Sequence, residues 1–575
     1  MGSRKRVNNI INWKLSRFNS ISLFPHHVTM YFPKTRYLVS LFLLLVAMHF
    51  AACDSRPTKP APTGFSDNEF ISTLKSQIKP FDTLNKKVFR SLAEDVRYTY
   101  QSDDYQPIWV KENYKPVDGA AKLLDELEDT YWDGLDTARY HLALLRNLKT
   151  KLDTVKSNSV VDAISFDTSL TRCYLMAAKD LLIGRIIPKK ADSLWFHVND
   201  SVWNAPALLI SSKGVYPSLS NFRSNVPTYA LLRSEYKHFA TLSLDSEFNV
   251  ALAGIRPVKH PDEDMMDDIL KVIGTELPWF KSVPDDTISE VKQLFMAYQD
   301  FRNLPLTGKP DSLTLAYIAT PVDTYLQKLA INMERVRWMQ REFGAQYVLV
   351  DVPLMEFFLR REGTNAMHMR VVVGKPERQT PSLFANMSSV VINPPWGVPP
   401  TILKKDVLPG LQKSGKKYLD KKGLKVYDHE GKRVNASAIN AKNYRRFNYK
   451  QAPGDDNSLG YVKFNLPNQW DIYLHDTPHR DDFVKRFRAL SSGCIRLHRP
   501  QELAIFILSD IEKKRYTQGR LDTVIDTHIT RYENLKNKIP VHITYLTAFE
   551  DTTGKHIRFI RDVYCRDSKL SALLN

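Results

Sequence analysis

Two short runs, Ile472-Tyr473-Leu474-His475-Asp476-Thr477-Pro478-His479 and Ser491-Ser492-Gly493-Cys494-Ile495-Arg496-Leu497, each join a strand-like segment to a turn that carries reactive side chains. In the first, His475 stands at a strand end before a Pro-containing turn, where site residues are commonly held on a rigid base. In the second, Cys494 follows a Ser-Ser-Gly turn and precedes an alternating strand, a polar setting rather than a core run. Gly493 lets backbone approach closely, so neighbouring N–H groups can face a developing oxyanion. A thiol near a cation ionises more readily, so His475 is expected to hold Cys494 as a thiolate ion pair and later protonate a leaving amine. The Asp476 carboxylate, or a backbone carbonyl, would fix the imidazole tautomer. Arg496 offers a planar fork suited to a substrate carboxylate.

Outward from these runs, β-branched segments bounded by Gly, Pro and Asn begin at Tyr347. They are 347–353, 368–374 and 389–393, then 460–464 and 471–474, with a final hairpin from 541–547 and 556–563. Between them, 410–456 is loop-like and basic, and an insertion of that length is usually functional. A helix is expected near 500–512. Gly374-Lys375 lacks the flanking residues of a P-loop, which excludes nucleotide binding there. Upstream, 66–255 has helical periodicity, and Cys173 falls on an apolar face as a core residue. Residues 286–320 read helix, turn, helix, with a Ser or Asp cap before the second. Cys565 is read as incidental.

The 575 residues suffice for several domains, and apolar content of 43% makes disulfide staples unnecessary. Four cysteines without a CxxC pair argue against a zinc ribbon or a disulfide framework. The net charge of +18 suits an anionic polymer without choosing among nucleic acid, membrane and cell wall. Seven of those charges precede residue 37. Lys34 and Arg36 lead into an apolar run, Tyr37 to Met48, then Ala51-Ala52-Cys53. That order is an export signal ending in a lipobox-like site, with Cys53 as lipid acceptor and Phe50 as a departure from the usual Leu. Residues 1–29 read as a mis-assigned upstream start, and the Pro-rich segment after Cys53 as a tether.

At the His475 and Cys494 runs the sequence resembles the L,D-transpeptidase (YkuD-type) family, and its Ser-Ser-Gly-Cys form resembles the large multidomain YcbB-like subgroup. The family signature is a His, a short spacing, then Ser/Thr-His-Gly-Cys with an Arg or Asn beyond. Ser492 stands where the common form has a second His, which favours His475 as base. Asn332 to Trp338, Val373 to Pro376, Gln379 to Pro381 and Asn393 to Trp396 extend the resemblance.

The implied fold is α+β and multidomain: a helical scaffold, a small peptidoglycan-binding-like helical module, and a β-rich YkuD-like catalytic domain with a capping insertion. The expected order is signal 30–53, linker 54–65, scaffold 66–255, module 256–322 and link helix 323–345. The catalytic domain 346–515 follows with its cap at 410–456, and 516–575 adds a C-terminal helix and hairpin. The implied activity is 3→3 peptidoglycan cross-linking through a thioester on Cys494, with Tyr473, Trp396, Ser492 and Arg496 contacting substrate. Water in place of the acceptor amine would make it an L,D-carboxypeptidase. Expected partners are peptidoglycan stems, a membrane through the N-terminal anchor, and carbapenem-type inhibitors; no nucleic acid, cofactor or metal is expected. The implied location is the periplasmic side of a Gram-negative envelope. Two rival readings remain at this point. One is a non-catalytic wall-binding lipoprotein. The other is a zinc hydrolase using His475, His479, Cys494 and His498, which Pro478 and the surrounding arginines disfavour.

Overall fold

In the computed structural model, residues 68–78, 91–154, 159–199, 201–212, 216–283, 288–440, 442–551 and 553–575 are described. The export-signal reading, including Cys53, lies outside them. The chain divides into two units, Met1–Ile71 and Ser72–Asn575. The first contributes described residues only from the start of a helix, Asn68–Gln77. The second holds the sheet and the helices packed on it.

An antiparallel meander of β2 (Gln346–Asp351), β3 (Glu356–Arg361) and β4 (Thr364–Gly374) begins the catalytic sheet. β5 (Ser382–Ile392) does not follow β4 in space. Between β5 and β2 lies β13 (Arg531–Thr544), antiparallel to β5 and parallel to β2. On the other side, β4 pairs with β12 (Ile495–Leu497), which pairs in parallel with β10 (Leu474–His475), which pairs with β9 (Val462–Asn465). Because β9 also pairs with β5, the path closes on itself. Closure leaves these strands no free edge, so their Val- and Ile-rich runs stay buried. β11 (Ala489–Ser491) lies beside the end of β4, ahead of the Cys494 turn.

Three differences from the sequence expectations concern strands. The region read as mainly helical also supplies β1 (Trp195–Phe196), which extends the sheet at β5. β3 was not anticipated; its Glu-Phe-Phe-Leu-Arg-Arg pattern is charged at both ends, yet its middle is buried. The expected 541–547 and 556–563 hairpin is divided. Residues up to Thr544 belong to β13, and the hairpin is β14 (Ala548–Glu550) with β15 (Ile557–Phe559).

The insertion is not a loop. A three-stranded sheet joins β6 (Trp396–Gly397), β8 (Asn448–Gln451) and β7 (Lys425–Tyr427). With short helices over 400–421 it encloses its own apolar cluster of Val407, Leu419, Leu424, Val426 and Tyr449. Frequent lysines and glycines masked this core, because its apolar residues come singly rather than in runs.

The helical half is built around Val160–Ile183, started by Ser159 accepting the Asp162 N–H and ended at Gly184 with φ +82°. Cys173 is buried there and donates to the Tyr140 carbonyl, and burial pushes its thiol up to about 11. Residues 286–320 form helices Glu290–Phe301 and Ser312–Ile318, the second capped by Asp311. The link helix runs Val322–Arg337 and buries charges as well as apolar residues, including Glu334, Arg335 and Arg337. No helix among the described residues is long and apolar enough to cross a membrane.

Candidate active site

Register places the candidate residues. Leu474 faces Ile495 and His475 faces Arg496 across the parallel β10–β12 pair, while His475 faces Lys463 across β9. Lys463, His475 and Arg496 therefore form a row over three adjacent strands. One step before them, Tyr473 lies beside Cys494, with the Ile495 N–H bonded to the Tyr473 carbonyl. The Tyr473 and His475 rings are 5.6 Å apart, as expected for alternate residues on one face.

Local chemistry explains the short strands. Asn468 accepts the N–H groups of Trp470 and Ile472 and donates to the Leu466 and Ile472 carbonyls, shaping the bend before Tyr473. Beyond His475, the Asp476 carboxylate accepts from the N–H groups of Tyr461 and Thr477 and from Arg480. The nucleophile turn is tied twice. Ser491 Oγ accepts the Gly493 N–H and donates to the Cys494 carbonyl at 2.6 Å, and Thr380 Oγ1 donates to the Gly493 carbonyl at 2.7 Å. Gly493 sits at φ +122°, a conformation that any side chain would strain.

Cys494 is half-buried, and its Sγ donates to the Asp471 carbonyl at 3.6 Å. Desolvation raises the thiol above its ordinary value; the Tyr473 N–H and hydroxyl, with the Lys463 ammonium, pull the other way. The Tyr473 hydroxyl is in turn influenced by Cys494 and by Trp396 of the cap. His475 is buried. Its Nδ1 lies 2.5 Å from the Asp476 carbonyl, which fixes the Nδ1–H tautomer and leaves Nε2 as an acceptor. Burial, with Arg496 and Lys463 nearby, pushes the imidazole down to about 3.

These observations correct three expectations and decide between the two tautomer orienters that the sequence left open. Thiol and imidazole share a face but rest neutral, with no hydrogen bond between them among the described residues, so the expected ion pair is not the resting state. At Cys494 desolvation outweighs the Lys463 ammonium, and at His475 the charges of Arg496 and Lys463 add to desolvation. The tautomer is fixed by the Asp476 carbonyl, not its carboxylate, which the turn already occupies. The Gly493 N–H is donated to Ser491, which leaves the Cys494 N–H as the one facing the turn without an acceptor among the described residues. Arg496 is held by Asp482 at 3.1 Å, so its fork is partly occupied.

Ser492 is exposed and accepts from Arg378, whose guanidinium also pairs with Asp406 of the cap. The roles of Lys463, Thr380, Arg378 and Asp482 escaped the sequence reading. Thr380 left a trace within the Gln379 to Pro381 segment, and Lys463 within the strand expected at 460–464. No group of three or more His, Cys, Asp or Glu among the described residues is arranged to hold a metal ion.

A closed sheet with a thiol turn and imidazole side by side under a cap defines an acyl-transfer class, and comparison with known proteins agrees. Residues 345–523 match the YkuD family model, described as the L,D-transpeptidase catalytic domain, and residues 94–235 match a scaffold domain. The chain thus carries an L,D-transpeptidase catalytic domain behind a helical scaffold. A Haemophilus influenzae protein named "Putative L,D-transpeptidase" is 33% identical over 248 residues, covering 43% of this chain and 49% of the relative. The chain spans about half the length of that curated relative.

Proposed function

We propose that this protein is an exported L,D-transpeptidase that forms 3→3 cross-links in peptidoglycan through a thioester on Cys494. The observation that carries this reading is the placement of Cys494, Tyr473 and His475 on one sheet face. Cys494 Sγ attacks the carbonyl carbon of the third stem residue. The carbon–nitrogen bond to D-alanine breaks as the thiol proton passes through His475 Nε2 to the leaving amine. An acceptor amine then attacks the thioester, its proton returns through His475 to sulfur, and the free thiol is restored. The Cys494 N–H serves the transient oxyanion. A neutral resting pair suits this cycle, because proton transfer accompanies attack instead of preceding it.

The test is direct. Purified protein incubated with a tetrapeptide stem should gain the mass of the stem less D-alanine on the peptide containing Cys494, and cross-linked dimers should accumulate. Cys494→Ala should abolish both while keeping the melting temperature. If the alanine variant still cross-links, the reading is wrong, and a wall-binding role independent of the thiol takes its place.

Acceptor choice belongs to the cap. Because it is a folded layer tied through Asp406 and Arg378 to Ser492, it would exclude water and favour the amine over hydrolysis. Deleting 416–446 should raise the ratio of hydrolysis to transfer, measured by product mass; an unchanged ratio removes that role. The apolar run ending at Cys53 supports export and a lipid anchor on the periplasmic side, to be read from the mass of the mature amino terminus. Carbapenems are expected to acylate Cys494.

A further inference from the structure

The row across β9, β10 and β12 holds two cations, and only one is spoken for. Arg496 is paired with Asp482. Lys463 is half-buried and makes no ion pair or hydrogen bond among the described residues; its Nζ lies 4.2 Å from the centre of the Tyr473 ring, over its face. Desolvation lowers Lys463 below its ordinary value, while Cys494 and Asp471 oppose that. A half-buried ammonium without an anionic partner carries a desolvation cost. The Tyr473 hydroxyl beneath it meets the sulfur.

We propose that Lys463 is a positioning residue for the thiol: its ammonium pins the Tyr473 ring under the sulfur and supplies the positive charge that stabilises the Cys494 thiolate as it forms. This assigns to Lys463 the role that sequence reasoning gave to an imidazolium. His475 holds no standing positive charge, since burial and the neighbouring cations suppress its proton affinity, and Arg496 has its charge opposed by Asp482. The assignment concerns the same thiol as the proposed transpeptidase reading, but it stands on the chemistry of the sulfur alone.

The groups that act on the sulfur are Lys463 from β9, Tyr473 just before β10, Asp471 from the bend, and Arg496 of β12, while His475 lies between Lys463 and Arg496 in the row. Asp471 and Asp482 are the negative ones. Removing Lys463 therefore leaves the thiolate opposed by Asp471 and supported only by Tyr473 and an already neutralised Arg496.

The experiment follows iodoacetamide alkylation of Cys494 in the full chain as a function of pH, read on the tryptic peptide that contains it so that Cys565 does not interfere. Lys463→Met is expected to slow alkylation about tenfold at pH 8 and to move the midpoint of the profile up by about one unit. Lys463→Arg is expected to restore most of the rate, and the melting temperature of Lys463→Met should not fall. An unchanged profile in Lys463→Met, or an equal shift in both variants, overturns the assignment. So does an unchanged profile accompanied by a raised KM for stem peptide, which would make Lys463 a substrate clamp. Since alkylation needs no peptide substrate, the result stands whether or not the protein proves to be a transpeptidase.

Discussion

The link helix and the catalytic row both bury ionisable groups, yet they treat them in opposite ways. Arg337 donates to Glu334 at 3.0 Å and to the Tyr229 hydroxyl, and Arg335 pairs with Asp567 at 2.6 Å, joining the helix to the chain terminus. Each charge there faces its opposite. In the catalytic row Lys463 has no such partner, His475 keeps Nε2 open, and the Cys494 sulfur is bonded only loosely. Paired charges hold elements in register, whereas unpaired ones keep their capacity to interact with something that arrives. Burial alone does not separate the two regions; the presence or absence of a partner does.

The sharpest way to break this comparison is to remove an open group. His475→Ala should lower kcat for transpeptidation by about 10²–10⁴-fold, as for loss of a general base, with the melting temperature held or raised. A large fall in stability would place His475 with the paired set instead. The converse variant is Arg337→Met, which leaves Glu334 buried without its cation. It should cost about 3–5 kcal/mol in urea unfolding while leaving the alkylation rate of Cys494 in the folded fraction unchanged.

Acid titration sharpens the contrast further. His475 is depressed to about 3, so between pH 6.5 and that value the unfolded chain binds a proton that the folded chain refuses. Its contribution is present above pH 6.5 and is lost as pH falls. Asp351 and Glu235, pushed up to about 7 and 8 by burial, act in the opposite sense. The comparison must therefore be made against His475→Gln. Relative to that variant, the wild-type urea midpoint should decline between pH 6.5 and pH 4, and parallel midpoints would refute the neutral-imidazole account. The smallest expected effect is that of Tyr473→Phe. It removes the hydroxyl that opposes the rise in the sulfur's proton affinity and should slow alkylation at pH 8 about tenfold.

The fold class was legible from periodicity, and the chemistry from Cys494 and His475, because turn residues and a strand end mark them locally. What stayed hidden depends on pairings distant in sequence. Lys463 is one lysine among many until β9 lays it beside His475. Asp482 reads as a solvated acid in a charged stretch until Arg496 reaches it. The insertion looked like a basic loop because Val407, Leu419, Val426 and Tyr449 are scattered, and only the turn of the chain gathers them. Whether a buried imidazole gains or loses a proton is likewise decided by neighbours that the motif does not contain.

The strand that joins β5 to β2 comes late in the chain. β13 begins at Arg531, beyond the end of the matched catalytic segment at residue 523. A fragment cut at the family boundary would expose the hydrogen-bonding edges of two long apolar strands to any neighbour. In a chain emerging from its amino terminus, the ring stays open until residues 531–544 have been made. Closure is then a late, long-range event, and the half-made sheet before it is the species most prone to aggregate.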